Sequence, residues 1–444
     1  MTRIENARRL LPHISRLTSV LERWHVPLVL VALVPFSRLS LSGLPVGQLL
    51  ALLALPLWVS RVRCTRVVLA FAVAYALLGA GGIALWYGSP RDHSPTVAIQ
   101  VLGILITTGI PAGVYWWALT IEGLAPVALA FGIGLQVNAL LAGVTFDAEV
   151  WLHTFEYPMT ILILALAALT KRRWPSVGAA VILAALSASG GVRSAVGAVG
   201  LGLGLWLAAP LFRRMRFLQQ KYDLRPIAYI GSFLIGSIAV GAAATRTLVS
   251  GLLGSRIQED TLRQIASGGS LLTGGRYEWL VSTKLFRQMP WGFGPGAIPT
   301  QHDTSLVAHS LTDAGVTPSW QYVYTYMLGS ASPFKVEPTR FKLHSVVADL
   351  WVNFGPIGAA AFVVLVLVLC VMFLARNVTT MAATPLLPFV LLCFTLWDLF
   401  FSPIYSNLIL VVFSAITLGF LTTIGSPTKT RPPISTIAMR HRRA

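Results

Sequence analysis

Residues 157–189 read YPMTILILALAALTKRRWPSVGAAVILAALSAS: fourteen apolar-rich positions, the cluster Lys171-Arg-Arg173, and sixteen more apolar-rich positions. A helix needs about 20 residues to cross a bilayer, somewhat fewer where the ends snorkel, and basic clusters collect on one side of the membrane. The stretch therefore reads as two crossing helices joined by a positively charged turn. The rest of the chain repeats that pattern. Of 444 residues, 55% are hydrophobic and 11% charged, where a soluble domain carries about 25% charged residues. A soluble core cannot hide so much apolar surface, so lipid is the solvent for much of it.

Twelve apolar runs of spanning or near-spanning length follow one another at 26–37, 44–60, 67–87, 97–119, 123–144, 157–170, 174–189, 195–212, 226–244, 354–375, 384–401 and 407–424. The expectation is an all-α polytopic membrane protein of about 12 transmembrane helices with one large periplasmic or extracellular loop. The first run is the weakest, being short and broken by Pro27 and Pro35. With a cytoplasmic N-terminus, the inner segments carry 22 basic residues, whereas the short outer loops carry only Arg38, Arg91 and Arg193. That asymmetry obeys the positive-inside rule, and removing any one helix would scramble it. Both termini then lie in the cytoplasm, and no small-residue cleavage site follows Phe36, so the N-terminus reads as uncleaved. The net charge of +18 is a topology signal and a contact to anionic membrane lipids, with no nucleic acid implied. Cys64, Cys370 and Cys393 fall in a basic loop and in apolar runs, which disfavours disulfides and thiolate metal sites.

The chain divides into an N-terminal bundle of about nine helices (1–244), a polar outer segment (245–350), three C-terminal helices (351–425) and a basic cytoplasmic tail (426–444). Long segments that are not linkers usually carry function. In the outer segment Tyr277, Leu280, Val281, Lys284 and Leu285 fall at helical spacing, an amphipathic helix suited to a membrane surface and ended by Pro290. Gly292, Gly294 and Gly296 then flank Phe293 and Pro295 in a turn that glycine allows most easily. No internal repeat and no matched pair of Gly/Pro-broken helices is present, unlike many secondary transporters.

Three basic side chains stand apart on the expected outer face. Arg193 lies in the small-residue stretch Ser187-Ala-Ser-Gly-Gly-Val-Arg-Ser-Ala195, Arg276 opens the amphipathic helix, and His344 precedes the tenth run by ten residues. Taken singly, each has an ordinary reading: a helix-end arginine reaching lipid phosphate, an ion pair with Glu278 or Glu259, an interfacial histidine bonded to a carbonyl. Asp398 is a rare carboxylate near the end of the eleventh run, suited to orienting His344 or a sugar, or to a hydrogen bond with a neighbouring helix. Asp147-Ala-Glu149, with His153 and Glu156 nearby, is either a divalent-cation pair or a solvated loop.

Taken in order, these stretches resemble the O-antigen ligase and O-antigen polymerase superfamily. The likeness rests on the arginine in its small-residue turn, Gly-Gly-Arg276-Tyr-Glu-Trp279, Pro290-Trp-Gly-Phe-Gly-Pro-Gly296, Leu343-His344-Ser345 and Asn353-Phe-Gly-Pro-Ile-Gly358. It covers roughly residues 175–375. Two features depart from the family pattern: Val192 separates Gly191 from Arg193 where a serine usually precedes the arginine, and Ser345 stands where Asn is frequent.

The resemblance implies a glycosyltransferase of the bacterial inner membrane that uses a glycan on polyprenyl (undecaprenyl) diphosphate as donor and a glycan or glycolipid hydroxyl as acceptor. Arg193 and Arg276 would grip the diphosphate and His344 would take the acceptor's proton, with Gly294, Gly296 and Asp398 as further substrate contacts and no cofactor or metal. The chemistry suits the residue types. Guanidinium groups bind phosphate oxygens through paired hydrogen bonds as the leaving group gains charge, and a histidine near neutral pKa serves as base. The rival class is a transporter or flippase of lipid-linked glycans, which would place charges along several helices.

Overall fold

The structure is a computed structural model describing residues 21–36, 40–41, 44–62, 65–141, 155–189, 193–215, 223–251, 277–313, 340–379 and 384–423, with six isolated positions between 255 and 265. It is an all-α membrane protein. Among the described residues, six helices are long and apolar enough to cross a bilayer: α4 (Arg66–Gly88), α5 (Pro95–Glu122), α6 (Leu124–Leu141), α9 (Arg193–Arg214), α10 (Arg225–Val249) and α13 (Val346–Thr379). Four more are apolar but shorter: α7 (Glu156–Leu169), α8 (Arg173–Ser189), α14 (Leu387–Phe401) and α15 (Ile404–Thr423). Exposed apolar rows such as Ile227, Leu234, Ile235 and Ile238 on α10 leave a face that only lipid or protein could cover.

The first two apolar runs differ from the sequence expectation. In place of two spans they form three eight-residue helices, α1 (Val26–Leu33), α2 (Val46–Leu53) and α3 (Leu55–Val62), with a two-residue hairpin of β1 (Ser40–Leu41) and β2 (Leu44–Pro45) between α1 and α2. Each helix rises only about 12 Å. Proline sets these limits: Pro35 follows α1, and Pro56, without an N–H, helps break the second run at Ala54. Trp58 bridges that break by donating its indole N–H to Ala51 O at 2.9 Å.

The helices alternate in direction, so Arg66, Arg173, Arg214, Arg225 and Arg376 gather at one end of the bundle, the basic end. The polar segments gather at the other. There α13 is interrupted at Gly355 (φ 79°, ψ 169°) just before Pro356. Closely approaching glycines brace the interruption: a Cβ on Gly81 of α4 would lie 2.1 Å from Phe354 O, and one on Gly358 would lie 2.8 Å from Leu78 Cα. Two helices of the polar segment, α11 (Tyr277–Gln288) and α12 (Gln301–Asp313), pack on each other beside this break. α11 follows the predicted spacing and stops before Pro290, with Val281 and Leu285 fully buried in the protein.

Candidate functional site

The site region begins with a carbonyl that proline leaves free. In an unbroken helix Val352 O would accept from residue 356, but Pro356 has no N–H to give. Phe293 N and Gly294 N donate to Val352 O instead, at 2.8 and 3.0 Å, and the Trp351 indole donates to Pro290 O at 2.9 Å. The segment 290–296 is thereby seated on the first half of α13, with the fully buried Phe293 ring against Phe341 (centroids 4.5 Å) and Trp351 (6.1 Å).

A second strap holds this turn from its other side, where residues 89–94 join α4 to α5. Ser94 N donates to Gly296 O at 2.8 Å and Ile298 N to Asp92 O at 2.9 Å. The Arg91 guanidinium donates to Thr300 Oγ1 (2.9 Å) and Asp303 Oδ1 (3.0 Å) and lies 5.3 Å above the Phe293 ring. Asp303 is fully buried, and its other oxygen accepts from Thr300 N at 2.7 Å while Asp303 N donates to Thr300 Oγ1 at 3.3 Å, a reciprocal cap that starts α12.

These contacts explain the glycines. Gly292, Gly294 and Gly296 have φ of 93°, 98° and 72°, a region costly for other residues. A Cβ on Gly294 would meet His93 Cε1 at 2.8 Å, and one on Gly296 would meet Ser94 O at 2.5 Å. Both glycines are buried with protein filling the space beside them.

His344 sits one residue before the serine that caps α13. Its backbone is left-handed (φ 51°), a conformation histidine tolerates better than most, and the residue is 9% exposed. The buried carboxylate of Asp349 sets that turn. One oxygen accepts from Leu343 N at 2.7 Å and the other from Ile404 N, at the start of α15, at 3.0 Å. Ser345 caps the helix through Ala348 N (3.4 Å) and also donates to Leu399 O at 3.5 Å. Just before the turn, burial, then the neighbouring Arg340, push the Lys342 ammonium below the ordinary lysine range, and Asp349 opposes them.

Asp398 holds the same α14–α15 corner from within: Tyr157 of α7 donates to it at 2.5 Å and Ser402 at 2.7 Å. It is 1% exposed, with Glu156 buried beside Tyr157. From the polar segment, Trp279 of α11 donates its indole N–H to Phe400 O at 2.8 Å. Arg193 opens α9, which runs antiparallel to α14 with Gly202 against Val390 and the Trp206 indole on Thr384 O (2.8 Å). Nine residues back along α9 from Gly202 and nine forward along α14 from Val390 are equal rises, which sets the Arg193 backbone level with Leu399. The backbone at Arg193 and the residues His344 and Asp398 therefore share one end of the bundle. Arg276, Asp147, Glu149 and His153 lie outside the described residues. Among the described residues no group of three or more His, Cys, Asp or Glu side chains is gathered as a metal ion would require.

Reading the sequence missed Asp349, Arg340, Lys342 and the Arg91–Asp303 pair. An acidic residue five positions after His344, inside an apolar helix, was the available signal for Asp349. No family model matches the chain, and neither a curated protein nor a solved structure matches it.

Proposed function

We propose that this protein is a membrane-embedded glycosyltransferase that moves a glycan from a polyprenyl diphosphate carrier to an acceptor hydroxyl at the outer surface of a bacterial inner membrane. The observation that carries the reading is His344: a left-handed, nearly buried histidine fixed through Asp349, with Arg340 and Lys342 directly before it and the start of the Arg193 helix at its level. Backbone strain at a polar residue held by its surroundings is a mark of a working site. Local cations suit a leaving diphosphate, whose charge grows as the sugar–oxygen bond breaks.

In this mechanism the acceptor oxygen attacks the sugar's anomeric carbon while His344 takes its proton. The bond to the diphosphate breaks, and Arg193 and Arg276 bind the departing diphosphate, with Lys342 adding positive charge. Gly294, Gly296 and Asp398 support the site by fixing the backbone around it. Acceptor identity separates a ligase from a polymerase, and the chemistry is shared by both.

The test is a purified, gradient-free assay with polyprenyl diphosphate-linked glycan and a glycolipid acceptor. Replacing a general base removes about 100-fold to 10,000-fold in rate, so His344→Ala should lose that much product in protein that still unfolds cooperatively. Full activity in His344→Ala sinks the base assignment. Glycan movement across the bilayer with no transfer product would instead establish the transporter reading.

A further inference from the structure

At the basic end, the turn between α7 and α8 and the last turn of α9 enclose a cleft of about 390 Å³. Its rim carries Lys171, Arg172, Arg173 and Arg213, and no carboxylate lines it among the described residues. Arg173, from the start of α8, and Arg213, from the last turn of α9, both line it. Cations from two separate segments brought to one concavity give it a positive potential that an anion would meet favourably, and Arg213 is steadied there by donating its Nε–H to Ala209 O at 3.4 Å. The turn is built rather than slack: Lys171 is left-handed (φ 55°), and Thr170 N and Lys171 N donate to Ala167 O and Ala168 O, both at 3.2 Å. The floor is fixed as well, with the Trp206 indole bonded to Thr384 O at 2.8 Å and Ser176 buried at the first turn of α8. That helix also directs its positive dipole end toward the cleft.

The cleft has two chemistries. Below the cationic rim its wall is apolar, including Ala168 and the 53% exposed Leu207. Beside the rim Trp174 is 82% exposed, as tryptophans at the boundary between headgroups and acyl chains are. We infer that this cleft binds a phosphate-bearing anion, with phosphate at Lys171, Arg172, Arg173 and Arg213 and, when the phosphate belongs to a lipid headgroup, an acyl chain along Leu207. The site is at the opposite end of the bundle from His344 and stands apart from the transferase reading.

Two probes distinguish the sources. Full-length protein in detergent is titrated with phosphatidylglycerol and, separately, with inorganic phosphate, and bound ligand is read by native mass spectrometry and by calorimetry. The variants are Arg173→Gln/Arg213→Gln and, because Arg213 also lies near a packed helix end, the exposed pair Arg172→Gln/Arg173→Gln. Arg66→Gln/Arg214→Gln removes the same charge from the same end outside the cleft. The expected result is at least tenfold weaker binding of one or both probes in either cleft variant, with the control pair at the wild-type level. Stronger binding of the lipid assigns a headgroup, and stronger binding of inorganic phosphate assigns a soluble phosphate. Equal binding in cleft variants and wild type, an equal loss in the control pair, or no binding of either probe to wild type overturns the inference.

Discussion

The His344 end of the bundle and the cleft at its basic end handle charge in opposite ways. At the His344 end, three carboxylates are buried and matched, Asp303 to Arg91 and Thr300, Asp349 to two backbone amides, Asp398 to Tyr157 and Ser402, while Glu156 is buried there with its Oε1 outside any such bond among the described residues. At the basic end, Lys171, Arg172 and Arg173 are exposed and line the cleft without an acid. Buried polar groups with complete partners fix geometry, whereas exposed like charges leave their neutralisation to whatever surrounds the protein. The first arrangement suits a site whose atoms must be held in place. The second suits a surface that meets lipid or solvent.

If that contrast is right, substitutions at the His344 end should be costly and those at exposed pairs should not. The largest effect on stability is expected from Asp303→Ala, which strands the mostly buried Arg91; losing one member of such a pair costs about 3–5 kcal/mol, readable as an early thermal transition of the detergent-solubilised protein. A melting temperature within a degree of wild type would mean that the strap is not structural. Asp349→Ala leaves Leu343 N and Ile404 N without their acceptor, a loss of roughly 2–4 kcal/mol; Asp349→Asn keeps one acceptor oxygen and should recover about half of it. In the transferase assay both should lower turnover by releasing the His344 turn, and undiminished turnover in a folded Asp349→Ala would separate that carboxylate from the site.

Gly294→Ala comes next. A left-handed alanine costs about 1–2 kcal/mol, and its methyl must also displace the His93 ring. The smallest effect belongs to Lys284→Met, which removes the exposed pair with Asp313 (2.7 Å) joining α11 to α12. Lys284 holds the Asp313 carboxyl below its usual range, so any contribution is complete above the ordinary carboxylate pKa and disappears as the pH falls through the lower, folded-state value. Melting curves at neutral pH should therefore barely move, and a large drop would show that exposed pairs matter here as buried ones do.

Apolar run length and the placement of basic clusters made the helical membrane architecture legible, because both are set by the bilayer rather than by neighbouring helices. Nine of the runs correspond to helices at nearly their predicted limits. The first two do not, since prolines spaced through 26–60 shorten each piece below spanning length. The tenth helix starts at Val346, well before its apolar run at 354, because its first turns are capped by Ser345 and packed in protein rather than in lipid. His344 stood out in sequence by its neighbours, yet what holds it did not: Asp349 acts through backbone amides of Leu343 and of Ile404, 55 residues further on, and backbone donors carry no side-chain signature. The glycines of 292–296 announced a turn, while the strap that fills the space beside them comes from residues 89–98, about two hundred positions earlier.

The unused acceptor at Val352 also imposes an order on biogenesis. Segment 290–296 emerges from the ribosome about sixty residues before the carbonyl that seats it. Its other anchor, at 89–94, is by then already made. The turn can thus be tethered from the N-terminal side early but locked only once α13 is threaded into the membrane, so a nascent chain stopped short of Val352 would carry the strap without its socket. Such long-range closure comes late in folding, and the end of the molecule that bears His344 is completed by its C-terminal third.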